Sequence, residues 1–225
     1  MLFRSVLYNK NIPVALVTSI AGQKRIQVVM NGFAGHAGTV PMDMRSDALC
    51  SAAECLTGIE AFALQQKHRL VATVGTLQVV HAASNVIPGQ VIFSIDIRSA
   101  DGLYLDEAVK EIKMICENIA LKRMVSCEWK LIQETAPVLT DAHLNACMKD
   151  AIISLDIPVV ELMSGAGHDA VPVAQVAPVS MMFIRCYKGI SHHPQEHAEV
   201  GDIAAALSVS DRFMENLIHH YSSIS

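Results

Sequence analysis

Charge is scarce in this sequence. Only 17% of its 225 residues are Asp, Glu, Lys or Arg, and no run of Lys and Arg interrupts it. With a formal net charge of -5 and an isoelectric point near 6.0, a nucleic-acid partner is not expected. No pair of its six cysteines has CxxC spacing. Cys50, Cys55, Cys116, Cys127, Cys147 and Cys186 lie mostly inside apolar stretches, as buried reduced thiols do. Despite a mean hydropathy of +0.35, no run of about 18 apolar residues exists, so no membrane span is expected. The opening MLFRSVLYNKNIP lacks the apolar region and small-residue cleavage site of a signal peptide. These absences together predict a soluble, cytoplasmic chain. Repeats and low-complexity segments are missing as well.

What is present is apolar material: 52% hydrophobic residues, enough for one large core or two small ones. From Lys24, RIQVVMNG alternates and reads as a strand ended by Asn31-Gly32. A helix follows over MRSDALCSAAECLTGIEAFALQQ, where Leu49, Ala52, Ala53, Leu56, Ile59 and Ala63 recur at helical spacing. LVATVGTLQVV (70–80) and QVIFSIDIRS (90–99) are strands, the second preceded by a Pro88-Gly89 turn. DEAVKEIKMICENIALKR is a helix with Asp106 and Glu107 near its start and Lys122 and Arg123 near its end, as the helix dipole favours. MVSCEWKLIQET is the fourth strand. The order β-α-β-β-α-β over roughly 24 to 135 is the ferredoxin-like arrangement. Beyond it, helices alternate with short apolar strands (IPVVELMS, VSMMFIRC), which suggests part of a parallel or mixed sheet covered on both faces. Two or three strands are few for an α/β domain, so this part is expected to expose apolar surface.

Four stretches carry chemistry. In GHAGTVPMDMR (35–45), Gly35, Gly38 and Pro41 build a constrained loop with His36 at an exposed corner. A tight turn with a surface histidine is the plain alternative. In SNVIPG followed by DIR, Asn85 can hydrogen-bond both ways and Arg98 is a planar fork suited to a carboxylate. Asp96 and Arg98 share one sheet face, so an ion pair between them is an equal alternative. In SGAGHDA (164–170), Asp169 reads as an ordinary helix cap, whereas charge does not favour His168 at a helix start. GISHHPQEH (189–197) gathers three histidines and a glutamate.

In order and spacing these stretches resemble the metal-dependent amidohydrolases of the aminoacylase and carboxypeptidase superfamily. Within it the chain is most similar to the allantoate amidohydrolases and N-carbamoyl-L-amino acid hydrolases, from about Val6 onward. The resemblance implies a ferredoxin-like lid and dimerisation domain at 23–136. It makes 1–22 the end of a first catalytic segment and 137–225 the C-terminal part of a zinc-peptidase-like α/β domain. It also implies His192 as a ligand of a divalent metal, zinc or manganese, and His36, Asn85, Arg98 and His168 as substrate-binding residues. A small carbamoyl or ureido substrate and a homodimer through the lid follow from the same likeness. His193 and His197 receive no such role.

The family's His-Asp motif, bridging aspartate, Glu-Glu pair and further histidine segment have no counterpart in these residues. A zinc site takes about four ligands, at least three of them protein groups even when catalytic, and His192 is the one family ligand present. A substitute triad from His193, Glu196 and His197 is not expected beside Pro194 in so short a loop. The sequence therefore predicts a truncated hydrolase, inactive alone, whether gene fragment, alternative start or half of a split enzyme. The alternative is a non-catalytic dimerising or small-molecule-binding module derived from the lid. An ACT-like regulatory domain would share the strand order but leave SGAGHDA and ISHHP unexplained.

Overall fold

The computed structural model describes residues 2–67, 69–191 and 193–222. Helix α1 (Leu2–Lys10) and strand β1 (Val14–Ile20) come first. They are followed by β2 (Gly22–Asn31), β3 (Gly35–His36), α2 (Ala48–Gln65), β4 (Val71–Val79) and β5 (Val86–Ile87). Then come β6 (Gln90–Ser99), α3 (Gly102–Lys122), β7 (Ser126–Thr135) and β8 (Val138–Leu139). The chain ends with α4 (Ala142–Ser154), β9 (Glu161–Ser164), α5 (Ala170–Val173), β10 (Met181–Ile184) and α6 (Val200–Ser222). Two compact units result, one of Gly22–Pro137 and one of the described residues on either side of it.

In the Gly22–Pro137 unit, β2, β4, β6 and β7 form an antiparallel sheet in the spatial order β4-β6-β2-β7. With α2 and α3 as the two crossovers this is the ferredoxin-like order. The alternation in the sequence decides which face is buried. Val91, Phe93, Ile95 and Ile97 of β6 and Ile26, Val28 and Met30 of β2 pack against Ala52, Cys55 and Ile59 of α2 and Leu105, Ala108, Ile112 and Cys116 of α3. The opposite face carries Gln23, Arg25, Asp96 and Arg98.

Asp47 caps α2, accepting from the backbone N–H groups of Leu49 and Cys50 at 2.9 and 3.0 Å. Helix α3 starts earlier than its charge pattern suggests. Asp101 caps it by accepting from Tyr104 N–H at 3.1 Å, which places Asp106 and Glu107 beyond the first turn. Asp106 instead pairs with Lys24 of β2 at 2.5 Å. At the other end Lys122 and Arg123 reach Glu54 of α2, at 2.9 and 2.5 Å.

In the second unit β1 is central. It pairs with β9 in parallel along one edge, and with β10 and β8 antiparallel along the other. This makes a four-stranded mixed sheet, where the sequence pattern gave only two or three strands. Both faces of β1 are covered. Val14 and Leu16 pack on Met148, Ala151 and Ile152 of α4 and Ala206 and Val209 of α6, while Ala15 and Val17 meet Leu7, Leu162 and Phe183. Arg185 clamps the start of α6: its Nε and Nη2 each donate to the buried Asp202 carboxylate at 2.8 Å. No helix among the described residues is long and apolar enough to cross a membrane.

Candidate functional site

His36 is placed by backbone pairing between distant segments. β3 and β5 form a two-stranded antiparallel ladder with His36 opposite Val86, and Ala37 N–H donates to the Asn85 carbonyl at 2.9 Å. His36, on β3, and Asn85, in the turn just before β5, are thus brought close along the chain's backbone pairing, and both side chains are exposed. The loop is tied at its base as well. Gly32 N–H donates to Gly89 O at 2.8 Å and Phe33 N–H to Ser46 O at 2.9 Å. Only glycine fits at 32, because a Cβ there would lie 1.9 Å from Ser46 O.

Two further interactions shape the tip. Arg45 donates from Nη2 to Ala37 O at 2.6 Å and from Nε to Val40 O at 3.1 Å. Gly38 N–H donates to His36 Nδ1 at 3.0 Å. An accepting Nδ1 carries no proton, so the neutral ring bears its hydrogen on Nε2. The loop therefore presents an N–H donor rather than a lone pair. Arg45 and the β3–β5 ladder were not identified from sequence, although the arginine belongs to the motif GHAGTVPMDMR.

On the open face of the same unit, Arg98 donates from Nε to Asp96 Oδ1 at 2.7 Å and from Nη2 to Oδ2 at 3.1 Å. Gln23 Nε2 and Arg25 Nε also donate to Oδ2, at 2.5 and 3.2 Å. The intra-sheet ion pair weighed from the sequence is the arrangement found. Burial pushes the Asp96 carboxyl up, but the hydrogen bond and charge of Arg98 and the bonds from Arg25 and Gln23 outweigh it, leaving the pKa lowered. Arg98 is held further above its ordinary value, chiefly by the hydrogen bond to Asp96.

His168 lies in the second unit on the loop after β9. Ser164 Oγ, buried at the end of that strand, is 2.6 Å from His168 Nε2 and donates to Ala166 O at 3.0 Å. With the hydroxyl proton so committed, His168 Nε2–H is the donor to Ser164. The ring also packs on Phe183, with centroids 5.9 Å apart. Ser164 belongs to the motif SGAGHDA, but nothing in the motif's spacing marks it as the partner of His168. The cap expected at Asp169 is absent. Asp169 already has helical dihedrals and makes no side-chain cap bond, and α5 is a single turn.

His192 lies outside the described residues. Its neighbours bond within their own loop: His193 Nδ1 accepts from Gln195 N–H at 3.1 Å. His197 stacks on Tyr187 and lies 3.3 Å from Glu199 through Nε2. Among the described residues no group of three or more His, Cys, Asp or Glu side chains is arranged to hold a metal. The described donors thus do not fit a divalent ion.

The family described as peptidase family M20/M25/M40 matches residues 13–216. Allantoate deiminase 2 of Glycine max is 37% identical over 238 residues, covering 94% of this chain and 49% of the relative. The N-carbamoyl-L-amino-acid amidohydrolase of Pseudomonas sp. (strain NS671) is 36% identical over 218 residues, covering 95% and 51%. The crystal structure of an amidase of the hydantoinase/carbamoylase family from Burkholderia multivorans superposes with a TM-score of 0.87 at 32% identity, covering 93% of this chain and 51% of that one. The chain therefore spans about half the length of the relatives it matches. With its relatives amidohydrolases and its fold theirs, the chain belongs to peptidase family M20/M25/M40.

Proposed function

We propose that this chain supplies the substrate-recognition part, and one metal ligand, of a hydrolase of linear amide or amidine C–N bonds. Its substrates are small molecules with a carbamoyl or ureido group near a carboxylate, as in allantoate or an N-carbamoyl amino acid. The observation that carries the reading is the family match over residues 13–216, supported by relatives named for such reactions.

The roles follow from the side chains. His36 donates through Nε2–H to the carbonyl oxygen on which negative charge develops, with Asn85 beside it able to donate or accept. Arg98, its guanidinium oriented by Asp96, takes the substrate carboxylate as a two-pronged donor. His168, fixed by Ser164, adds a further hydrogen-bonding group. Residues 23–136 are the lid and the homodimer contact, and 1–22 and 137–225 belong to the catalytic domain, in a cytoplasmic enzyme.

Zinc or manganese is the cofactor this reading calls for, with His192 one ligand of about four. The remaining ligands and the general base lie outside these 225 residues, so the residues by themselves do not turn over substrate. Ammonia release from allantoate and N-carbamoyl amino acids tests this, with the chain alone and with the unmatched half of a relative added. Turnover only in the mixture, lost on His36→Ala, is expected. Substrate binding without turnover in any combination would favour a non-catalytic binding module instead.

A further inference from the structure

Cys55 of α2 and Cys116 of α3 are free thiols, each 0% exposed, in the core of the Gly22–Pro137 unit. Substrate recognition gives neither a role. The packing of their helices sets them opposite one another. Glu54 meets Lys122 and Arg123, Gly58 lies beside Ile115 and Ile119, and Gln66 accepts from the Tyr104 hydroxyl. These contacts run in opposite chain directions, so α2 and α3 are antiparallel, and Cys55 and Cys116 fall between the first two. A Cβ on Gly58 would lie 3.0 Å from Ile115 Cγ2, which shows how near the helices come at this level. The two sulfurs are in hydrogen-bonding contact, with the Cys116 thiol donating to Cys55 Sγ. That bond and burial push the Cys116 thiol well up from its ordinary value, so little thiolate forms while the unit is closed.

We propose that Cys55 and Cys116 form a redox-sensitive staple: a disulfide between them, made by peroxide and undone by a dithiol, locks α2 to α3. The chemistry balances within the pair. On local opening one sulfur attacks a peroxide oxygen, the O–O bond breaks, and a sulfenic acid and water result. The second sulfur then displaces the sulfenic oxygen, which leaves as water with that thiol's proton. Each sulfur loses one electron, and the two peroxide oxygens gain them. Geometry selects this pair. Sulfur contact across close helices suits the short Cα separation, about 6 Å, that a disulfide requires. Cys127 of β7 packs against the same core, but the Cys116 thiol bonds Cys55 and not Cys127. Burial first, and Cys55 nearby, push the Cys127 thiol up to about 11. Cys50 is exposed near the start of α2, outside the core. The link closes a long loop that includes β4 and β6, so it restricts the unfolded chain and holds the sheet together. The staple does not depend on the hydrolase reading.

The test treats the full 225-residue chain, reduced and folded, with hydrogen peroxide and then alkylates the remaining thiols in denaturant. Cleavage after glutamate separates Cys50 from Cys55 at Glu54 and yields 55–60 and 112–117 as distinct peptides. The expected result is these two peptides joined, lighter than their sum by the two thiol hydrogens and released by dithiothreitol. The unfolding midpoint of the oxidised chain should rise by at least about 5 °C, and Cys116→Ala should remove the rise. The peptide map needs only the parent chain, so it decides even where Cys116→Ala does not fold. Cys55 and Cys116 found unjoined after oxidation, or either one joined to a different cysteine, would overturn the proposal. So would a joined pair that leaves the midpoint unchanged or lower.

Discussion

Arg45 holds Ala37 by its backbone, with Nη2 donating to the carbonyl oxygen at 2.6 Å while Nε reaches Val40 O at 3.1 Å. One planar side chain thus fastens both sides of the turn that carries His36. A lysine can supply only a point donor and cannot span both carbonyls. Arg45→Lys should therefore loosen residues 37–40 by about 2 kcal/mol, the scale of a charged hydrogen bond. Amide hydrogen exchange at those positions measures it, and unchanged protection would show that the turn stands without Arg45.

Gly32→Ala should destabilise the Gly22–Pro137 unit by about 2 kcal/mol, since the new methyl meets backbone and not a yielding side chain. Gly167→Ala is the matched control. A Cβ there meets nothing within 4 Å, so its effect should stay within about 0.5 kcal/mol. Denaturant unfolding of both variants tests the contrast.

How much of this was readable in the sequence follows from where periodicity survives. Helices α2 and α3 and strands β2 and β6 each bury one face, so Ile26, Val28 and Met30, or Ala108, Ile112 and Cys116, recur at the proper spacing. Strand β1 is covered on both faces, so VALVTSI shows no alternation from which a strand could be read. The helix start at Asp101 was hidden because Gly102 is a poor helix former. The His36–Asn85 juxtaposition was out of reach for another reason. It depends on two-residue strands that meet across a long intervening segment, and no local pattern encodes such a pairing. The shared face of Asp96 and Arg98, by contrast, needed only alternation within β6.

Asp202→Ala should cost about 3 kcal/mol, because it leaves the Arg185 guanidinium in a largely enclosed position without its carboxylate. Thermal unfolding of the variant, with Asp211→Ala on the same helix as an exposed comparison, checks the figure.

Acid should release the Asp96 clamp. Its native pKa lies below the ordinary 3.8, so the unfolded chain binds the proton more readily. The stabilisation is present above about pH 4 and lost as pH falls through the lower native value. Acid unfolding followed with Asp96→Asn should show a shallower pH dependence below pH 4 than the parent chain, and identical slopes would remove Asp96 from the account.

We propose that these residues recognise substrate but do not by themselves hold the metal or carry out hydrolysis. Metal content and ammonia release of the purified chain, measured together after incubation with zinc or manganese, test it most directly. The expected result is substoichiometric metal and no turnover of allantoate or N-carbamoyl amino acids. Stoichiometric metal, lost on His192→Ala and accompanied by turnover, would contradict it.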